Sequence, residues 1–168
     1  MTLGREFFER DALVVAPELI GKLLVRTLPD GTERRLRILE TEVYRGTEDT
    51  ACHAHKGRTK RSEMLYMSGG TIYVYLCYGM HWLMNIVTGA QDEPQGVLIR
   101  SCEGADGPGK LTRALCISGE QNGMNISSCP DLRVEDDGEE VNITLDSRVG
   151  IKYAEQADID RLWRFKRG

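Results

Sequence analysis

Two carboxylates, an aromatic ring and a histidine lie close together early in the chain. Glu40, Glu42 and Tyr44 alternate along one apolar-flanked stretch, and His53 follows nine residues later. If this stretch is a strand, its alternate side chains share a face. A carboxylate on that face can activate water, and an aromatic ring can hold a flat ligand. The pattern indicates a pocket; the alternative is a polar strand face with both glutamates in water.

The spacing of the two glutamates allows a second kind of chemistry. Residues two apart on a strand are separated by roughly 6.6–6.8 Å. Like charges at that distance can raise one pKa and divide the roles of acid and base. The distance also falls within the roughly 6.5–9.5 Å range of inverting glycosidases. A hydrolase of nucleosides or sugars that uses Glu40 and Glu42 is therefore an alternative function.

Three tyrosines crowd the next strand-like segment. Tyr73 and Tyr75 share a face of it, and Tyr78 meets a turn at Gly79. A bulky side chain at a hairpin tip can wedge between stacked bases. Packing in the core is the competing interpretation, and it applies more to Tyr73 than to Tyr78.

Cys52, His53 and His55 resemble metal ligands, but their spacing argues against a metal site. Structural zinc requires four ligands, usually as two separated pairs. The only other histidine is His81, so no second pair exists. We expect His53 to hydrogen-bond a ligand or the backbone, and we expect no metal and no other cofactor.

Two further polar groups lie on or beside predicted strands. Asn85 and Arg100 lie on successive strand candidates, and a buried arginine normally needs a carboxylate partner. Glu42 could be that partner, which would keep Glu42 ionised; an ordinary structural salt bridge is the alternative.

Gly107-Pro108-Gly109-Lys110 opens a helix, whose N-terminus could bind phosphate or could simply be a capped end.

The charge of the chain is segregated. The net charge is −4, which counts against nucleic-acid binding. However, basic clusters occur at residues 56–61 and 161–167, whereas the acidic residues concentrate at 131–140. Each cluster is either a solvated surface or part of one basic face.

The elements that would position these groups favour one α+β domain over residues 1–168 with a mostly antiparallel sheet. Asp11 is placed to cap a helix that continues to about Ile20, and a second helix begins at Gly107 and continues to about Cys116. Residues 46–70 have no clear period and are interpreted as a long polar loop. Strands are predicted at 22–28, 34–44, 71–78, 82–88, 97–102, 132–134, 141–145 and 163–166.

The five cysteines and the lack of long apolar runs bear on location. An odd cysteine count without CxxC spacing is typical of a reducing cytosol rather than of a disulfide framework. We find neither a secretory signal nor a stretch of about 20 apolar residues. A cytoplasmic protein without a membrane partner is expected.

Taken together, these segments resemble a known enzyme family over roughly residues 10–150. The family is that of the alkyladenine (3-methyladenine) DNA glycosylases, including its bacterial members. The matching segments occur in the family's order: Glu40–Tyr44, Glu48–Asp49, Ala51–His53, Gly57–Thr59, Tyr73–Tyr75, Tyr78–Met80, Met84–Ile86, Val97–Arg100 and Gly107–Leu111.

The resemblance implies a single DNA glycosylase domain built on a curved antiparallel sheet flanked by helices. Such an enzyme is monofunctional and acts, as a monomer, on double-stranded DNA that contains damaged purines. It flips an alkylated or deaminated purine out of the duplex and hydrolyses the N-glycosidic bond. A DNA-damage-binding or metal-binding module without catalysis is a further rival.

The resemblance also assigns roles residue by residue. Glu42 matches the general base, and Arg100 matches its partner in holding the water. The flipped base would meet pocket residues Tyr44, His53, Tyr75 and Asn85, the last of which would clash with the amino group of normal guanine. Tyr78 would fill the gap left in the duplex. The expected contacts with the DNA backbone are Arg58, Lys60, Arg61 and Lys110, with segment 131–140 facing away from DNA.

Overall fold

The computed structural model describes residues 1–168 and contains one curled, eight-stranded sheet. Its order is β3-β4-β5-β2-β1-β6, and β8 pairs with both β2 and β7. Every pairing is antiparallel, so the predicted α+β class is confirmed. The strands are β1 Leu23–Thr27, β2 Glu33–Arg45, β3 Ile72–Cys77, β4 His81–Val87, β5 Gln95–Cys102, β6 Leu132–Glu135, β7 Ile143–Asp146 and β8 Arg164–Arg167.

The long strand β2 joins the two parts of the sheet. Its first half pairs with β1, and its second half pairs with β5 and β8. Between these halves the register with β5 passes over Leu39 on β2 and Arg100 on β5. Such bulges increase the local twist and redirect side chains. Arg100 therefore lies at an irregularity of the sheet rather than within its regular ladder.

Four short helices flank the sheet: α1 Arg5–Phe8, α2 Ala12–Leu19, α3 Pro108–Ala114 and α4 Gln156–Ile159. Helix α2 begins as predicted, because the Asp11 side chain accepts a hydrogen bond from the Leu13 amide at 2.8 Å. In α3 the Thr112 hydroxyl donates to the carbonyl oxygen of Trp82 at 2.8 Å. That bond holds α3 against β4.

The prediction of a long polar loop at 46–70 is wrong in part. The segment contains two 3₁₀ helices, His53–Lys56 and Glu63–Tyr66. Its apolar side chains form a small second core with β3 and β4 residues: Cys52, Ala54, Leu65, Tyr73 and Val87. A four-residue 3₁₀ turn that buries a single side chain leaves no periodic pattern in the sequence.

The main core lies between the sheet and helices α2 and α3. Its largest fully buried side chains include Leu19, Leu24, Ile38, Ile86 and Leu111. The five cysteines are all free thiols. None of the helices has the length and apolar character that crossing a membrane requires.

Candidate active site

A cavity of about 970 Å³ opens over the β3–β4–β5 part of the sheet. Five tyrosines line its wall: Tyr44, Tyr73, Tyr75, Tyr78 and Tyr153. The structure brings together there eight residues that the sequence predicted as site residues: Tyr44, His53, Arg61, Tyr75, Tyr78, Asn85, Arg100 and Lys110. They come from two parts of the chain. Strands provide one side of the cavity, and the 3₁₀ helix at 53–56 covers it from the other side.

One cross-strand row of the sheet explains why distant residues meet here. Tyr73 pairs with Asn85, Asn85 with Leu98, Leu98 with Glu42, and Glu42 with Arg164. Directly opposed residues lie side by side on one face of a sheet. The row crosses β3, β4, β5, β2 and β8, so it places the key carboxylate beside the floor of the cavity.

Glu42 is fully buried and is held by three donors. Its Oε1 accepts from the Tyr44 hydroxyl at 3.0 Å and from Arg100 Nη1 at 3.5 Å, and its Oε2 accepts from the Val149 amide at 2.7 Å. The three donors belong to cavity-lining residues, whereas the carboxylate lies directly behind them. Burial raises the pKa of Glu42, and the Arg100 charge is the strongest opposing influence.

Glu40 does not join Glu42 in an acid–base pair. Arg164 Nη1 donates to its Oε2 at 3.2 Å, and Glu40 lines a neighbouring pocket rather than the aromatic cavity. The two carboxylates considered from the spacing therefore lie in different surroundings. The pKa of Glu42 is raised by its burial and not by a like charge.

His53 is part of the aromatic wall. Its Nδ1 is 2.9 Å from the Tyr73 hydroxyl, and its ring meets the Tyr75 ring edge-on at 4.7 Å between centroids. Burial, assisted by the charge of Arg61, lowers the pKa of His53 to about 4. The imidazole is therefore neutral near pH 7 and can hydrogen-bond a base without adding charge.

The histidines and cysteines do not converge on a metal. His55 Nδ1 lies 2.8 Å from the carbonyl oxygen of Thr47, away from His53. No group of three or more His, Cys, Asp or Glu side chains has a ligand arrangement.

Asn85 is buried at the cavity wall. Its Nδ2 donates to the carbonyl oxygen of Tyr73 at 3.2 Å. This bond fixes the side-chain amide, so Asn85 presents a rigid polar group to whatever enters the cavity.

Tyr78 lies at the tip of the β3–β4 hairpin and is 93% exposed. Its φ of +52° and the +67° of Gly79 are the positive values of a primed hairpin turn. A bulky residue at positive φ is strained, and such strain is typical of functional positions. Leu76 and Met80 beside it are also exposed, so the tip presents an apolar wedge.

The four predicted backbone contacts divide into two pairs. Arg61 and Lys110 line the cavity, and the Arg61 guanidinium carbon lies 5.5 Å from the centroid of the Tyr75 ring. Arg58 and Lys60 lie outside the cavity wall and are exposed. Arg58 forms an ion pair with Asp92 and stacks on Tyr66.

The C-terminal part of the site was not predicted from the sequence. Arg148, Val149 and Tyr153 follow strand β7, and the last two line the cavity. The Tyr153 hydroxyl donates to the Ala51 carbonyl oxygen at 2.8 Å, which joins this segment to the 46–70 segment. No local motif marks these residues; only the pairing of β8 with β2 brings them to Glu42.

Comparison with known proteins gives consistent matches along the whole chain. The family model described as methylpurine-DNA glycosylase (MPG) matches residues 6–106 and 103–167. Three relatives carry the name "Putative 3-methyladenine DNA glycosylase". That of Natranaerobius thermophilus is 42% identical over 189 residues (98% of this chain and 94% of the relative). Those of Desulfitobacterium hafniense and Clostridium perfringens are each 41% identical, over 97% and 98% of this chain and 93% and 95% of the relatives.

Proposed function

The chain belongs to the methylpurine-DNA glycosylase family, and from this premise we propose that it excises alkylated or deaminated purines from double-stranded DNA as a monofunctional, monomeric enzyme. Membership of this family makes the protein a DNA glycosylase of the 3-methyladenine type.

In the proposed reaction Glu42 is the general base. The oxygen of a water molecule forms a bond to C1′ of the sugar while the N-glycosidic bond breaks. The electron pair of the broken bond leaves with the purine. Glu42 accepts the proton of the water. The observation that carries this role is the carboxylate itself, which is buried, paired with Arg100 and held by Tyr44 and Val149.

The two carboxylate oxygens are not equivalent. Charge-assisted N–H···O bonds usually measure about 2.7–2.9 Å. The Val149 amide holds Oε2 at 2.7 Å, whereas the contact of Arg100 with Oε1 is 3.5 Å. We assign the water to Oε1, because its donors Tyr44 and Arg100 are side chains that line the cavity, whereas Oε2 is held by a backbone amide.

The aromatic wall supports the binding of a flipped purine. Stacking of a base on an aromatic ring contributes roughly 1–3 kcal/mol, and a cationic alkylpurine is in addition attracted to electron-rich rings. A cationic purine is also a good leaving group that needs little acid catalysis. His53, which is neutral near pH 7, can then act as a hydrogen-bonding partner of the base, and Asn85 would exclude the amino group of normal guanine.

The hairpin tip supports the proposed disruption of the duplex. An exposed, strained tyrosine has little structural reason to be there, since it buries almost no surface. Its insertion into the gap left by the flipped base would stabilise the extruded state.

Replacement of Glu42 by Gln tests the central assignment. We expect base release from methylated duplex DNA to fall by about 10²- to 10⁴-fold, the usual contribution of a general base. Affinity for the duplex should change little, because Gln keeps the shape of the side chain.

Glu40→Gln is the matched control, because it removes the neighbouring carboxylate outside the cavity and should retain base release. Undiminished release by Glu42→Gln would eliminate Glu42 as the base. A comparable loss in both variants would instead favour the two-carboxylate hydrolase, and absence of turnover in the unsubstituted protein would favour a damage-binding protein without catalysis.

A further inference from the structure

Arg148 is a fully buried arginine that takes part in an extensive polar network. Its Nη1 donates to Asp49 Oδ2 at 2.7 Å and to the Val43 carbonyl oxygen at 2.9 Å. Its Nη2 donates to Asp49 Oδ1 at 3.0 Å and to the Asp158 carbonyl oxygen at 3.1 Å. One guanidinium therefore joins β2, the 46–70 segment and helix α4 to the turn after β7.

The same side chain adjoins two of the three donors of Glu42. The guanidinium carbon lies 5.0 Å from the centroid of the Tyr44 ring, whose hydroxyl donates to Oε1. The next residue in the chain is Val149, whose amide donates to Oε2. Fixing Arg148 therefore fixes both groups that orient the carboxylate from its two sides.

We propose that Arg148, clamped by Asp49, is a positioning residue that holds Tyr44 and the Val149 amide onto Glu42. This inference rests on the proposed role of Glu42 as general base. Arg148 touches neither the carboxylate nor the cavity, and it acts through its two neighbours.

The geometry favours this role over a purely structural one. A bidentate arginine restrains direction as well as distance, because its planar fork matches the carboxylate of Asp49. Here Nη1 and Nη2 each donate in addition to a backbone carbonyl, and the two carbonyls belong to different segments, whereas Nε has no partner. A catalytic group displaced by about 1 Å through a distant change can lose on the order of 100-fold in rate.

A pH profile separates positioning from stability. Glu42 faces Tyr44 on its own strand, Arg100 from β5, Arg164 from β8 and, through Tyr44, Arg148 from the turn after β7. The Val149 and Tyr44 bonds lower the pKa of Glu42 against the rise caused by burial. Loosening both bonds raises that pKa further, so the acidic limb of the rate profile should move to higher pH.

Arg148→Lys is the main test. Lysine retains the charge for Asp49 but cannot span Asp49 and both carbonyls at once. We expect single-turnover base release from methylated duplex DNA to fall on the order of 10- to 100-fold. DNA affinity should stay within about twofold, and the acidic limb should shift upward. Asp49→Asn removes the charge that pairs with Arg148 and keeps the size of the side chain. This variant should show the same loss of rate and the same shift of the acidic limb, both smaller.

Leu132→Ala on β6 is the control, because it creates a cavity in the core away from the site and lowers stability without touching this network. Its rate per folded molecule and its acidic limb should match those of the unsubstituted protein. A rate for Arg148→Lys that falls only in proportion to the unfolded fraction, or an unmoved limb, would leave Arg148 a structural residue. Glu42→Gln in the same assay separates the two hypotheses: an active Glu42→Gln variant overturns the proposed function, whereas an inactive one with a normal Arg148→Lys overturns only the positioning role.

Discussion

At the β1–β6 end of the sheet, acidic and basic side chains neutralise one another. Four carboxylates of segment 131–140 form ion pairs with basic residues: Glu135 with Arg35 and Arg133, Asp136 with Lys22, Asp137 with Arg37, and Glu139 with Arg37 and Arg167. At the cavity end, Arg100 pairs with Glu42, but the other four lining lysines and arginines have no carboxylate within 4 Å. These unpaired cavity cations are Lys56, Arg61, Lys110 and Arg113.

The contrast explains how a chain with a net charge of −4 can approach DNA. Exposed ion pairs contribute little to stability, but they cancel the field that the paired groups would otherwise project. The unpaired cavity cations retain their electrostatic field. Net charge is therefore a poor guide to this surface, and the pairing of individual charges is a better one.

Acidification should have the largest effect, because the two ends hold their carboxylates differently. The pKa of Glu42 is raised by burial, whereas those of Glu135 and Asp136 are lowered, chiefly by bonds from Arg35 and from the Gly138 amide. In the proposed mechanism the rate needs ionised Glu42, so it should fall about tenfold per pH unit below the raised pKa of this group. We therefore expect activity to be lost at a higher pH than the fold.

The sign of the stability change is opposite at the two ends. Because the folded state raises the pKa of Glu42, protonating it favours folding as the pH falls through that value. The carboxylates of the acidic segment have lowered pKa values in the folded state. Their contribution to stability is fully present above the pKa values of the unfolded chain. It is lost only as the pH falls toward the lower pKa values of the folded state. Base release and tryptophan fluorescence, measured over the same pH series, check this order. Simultaneous loss of activity and fold would contradict it.

Elements with a strong local signal were predictable from the sequence, whereas very short elements were not. The segment at 71–78 was predicted correctly because β-branched and aromatic residues fill it, and helix α2 because Asp11 caps its start. Helices α1 and α4 have four residues each, which is too short for a periodic signal.

Within the site, the link between Glu42 and Arg100 was predictable because a buried arginine needs a carboxylate. The burial of Glu42 behind the cavity wall could not be predicted, because it depends on the Val149 amide, which is 107 residues away along the chain. A backbone amide carries no sequence signature. The pairing of Glu40 with Arg164 on β8 was also missed, because the partner is 124 residues away along the chain.

Substitution of Tyr78 by Ser should have the next largest effect. Loss of one stacked ring costs roughly 1–3 kcal/mol, which corresponds to roughly 5- to 150-fold in affinity for a lesion-bearing duplex. Affinity for undamaged duplex should fall less, because no base is flipped there. Titration of both duplexes measures the difference. Leu145→Ser, on exposed strand β7, is the control for loss of an exposed apolar side chain. Equal losses on both duplexes would argue against insertion at the hairpin tip.

The smallest effect, and the most direct test of the comparison, is on salt dependence. Lys110→Gln with Arg113→Gln removes two unpaired cations at the cavity, whereas Lys22→Gln with Arg35→Gln removes two paired ones at the other end. Both double variants have the same net charge. The slope of log affinity against log salt should flatten by about 0.9 for each phosphate contact removed in the first variant, and it should stay unchanged in the second. Equal flattening in both would mean that DNA responds to the total charge of the protein rather than to the cations around the cavity. A slope that changes only at the cavity would identify α3 as part of the DNA-facing surface.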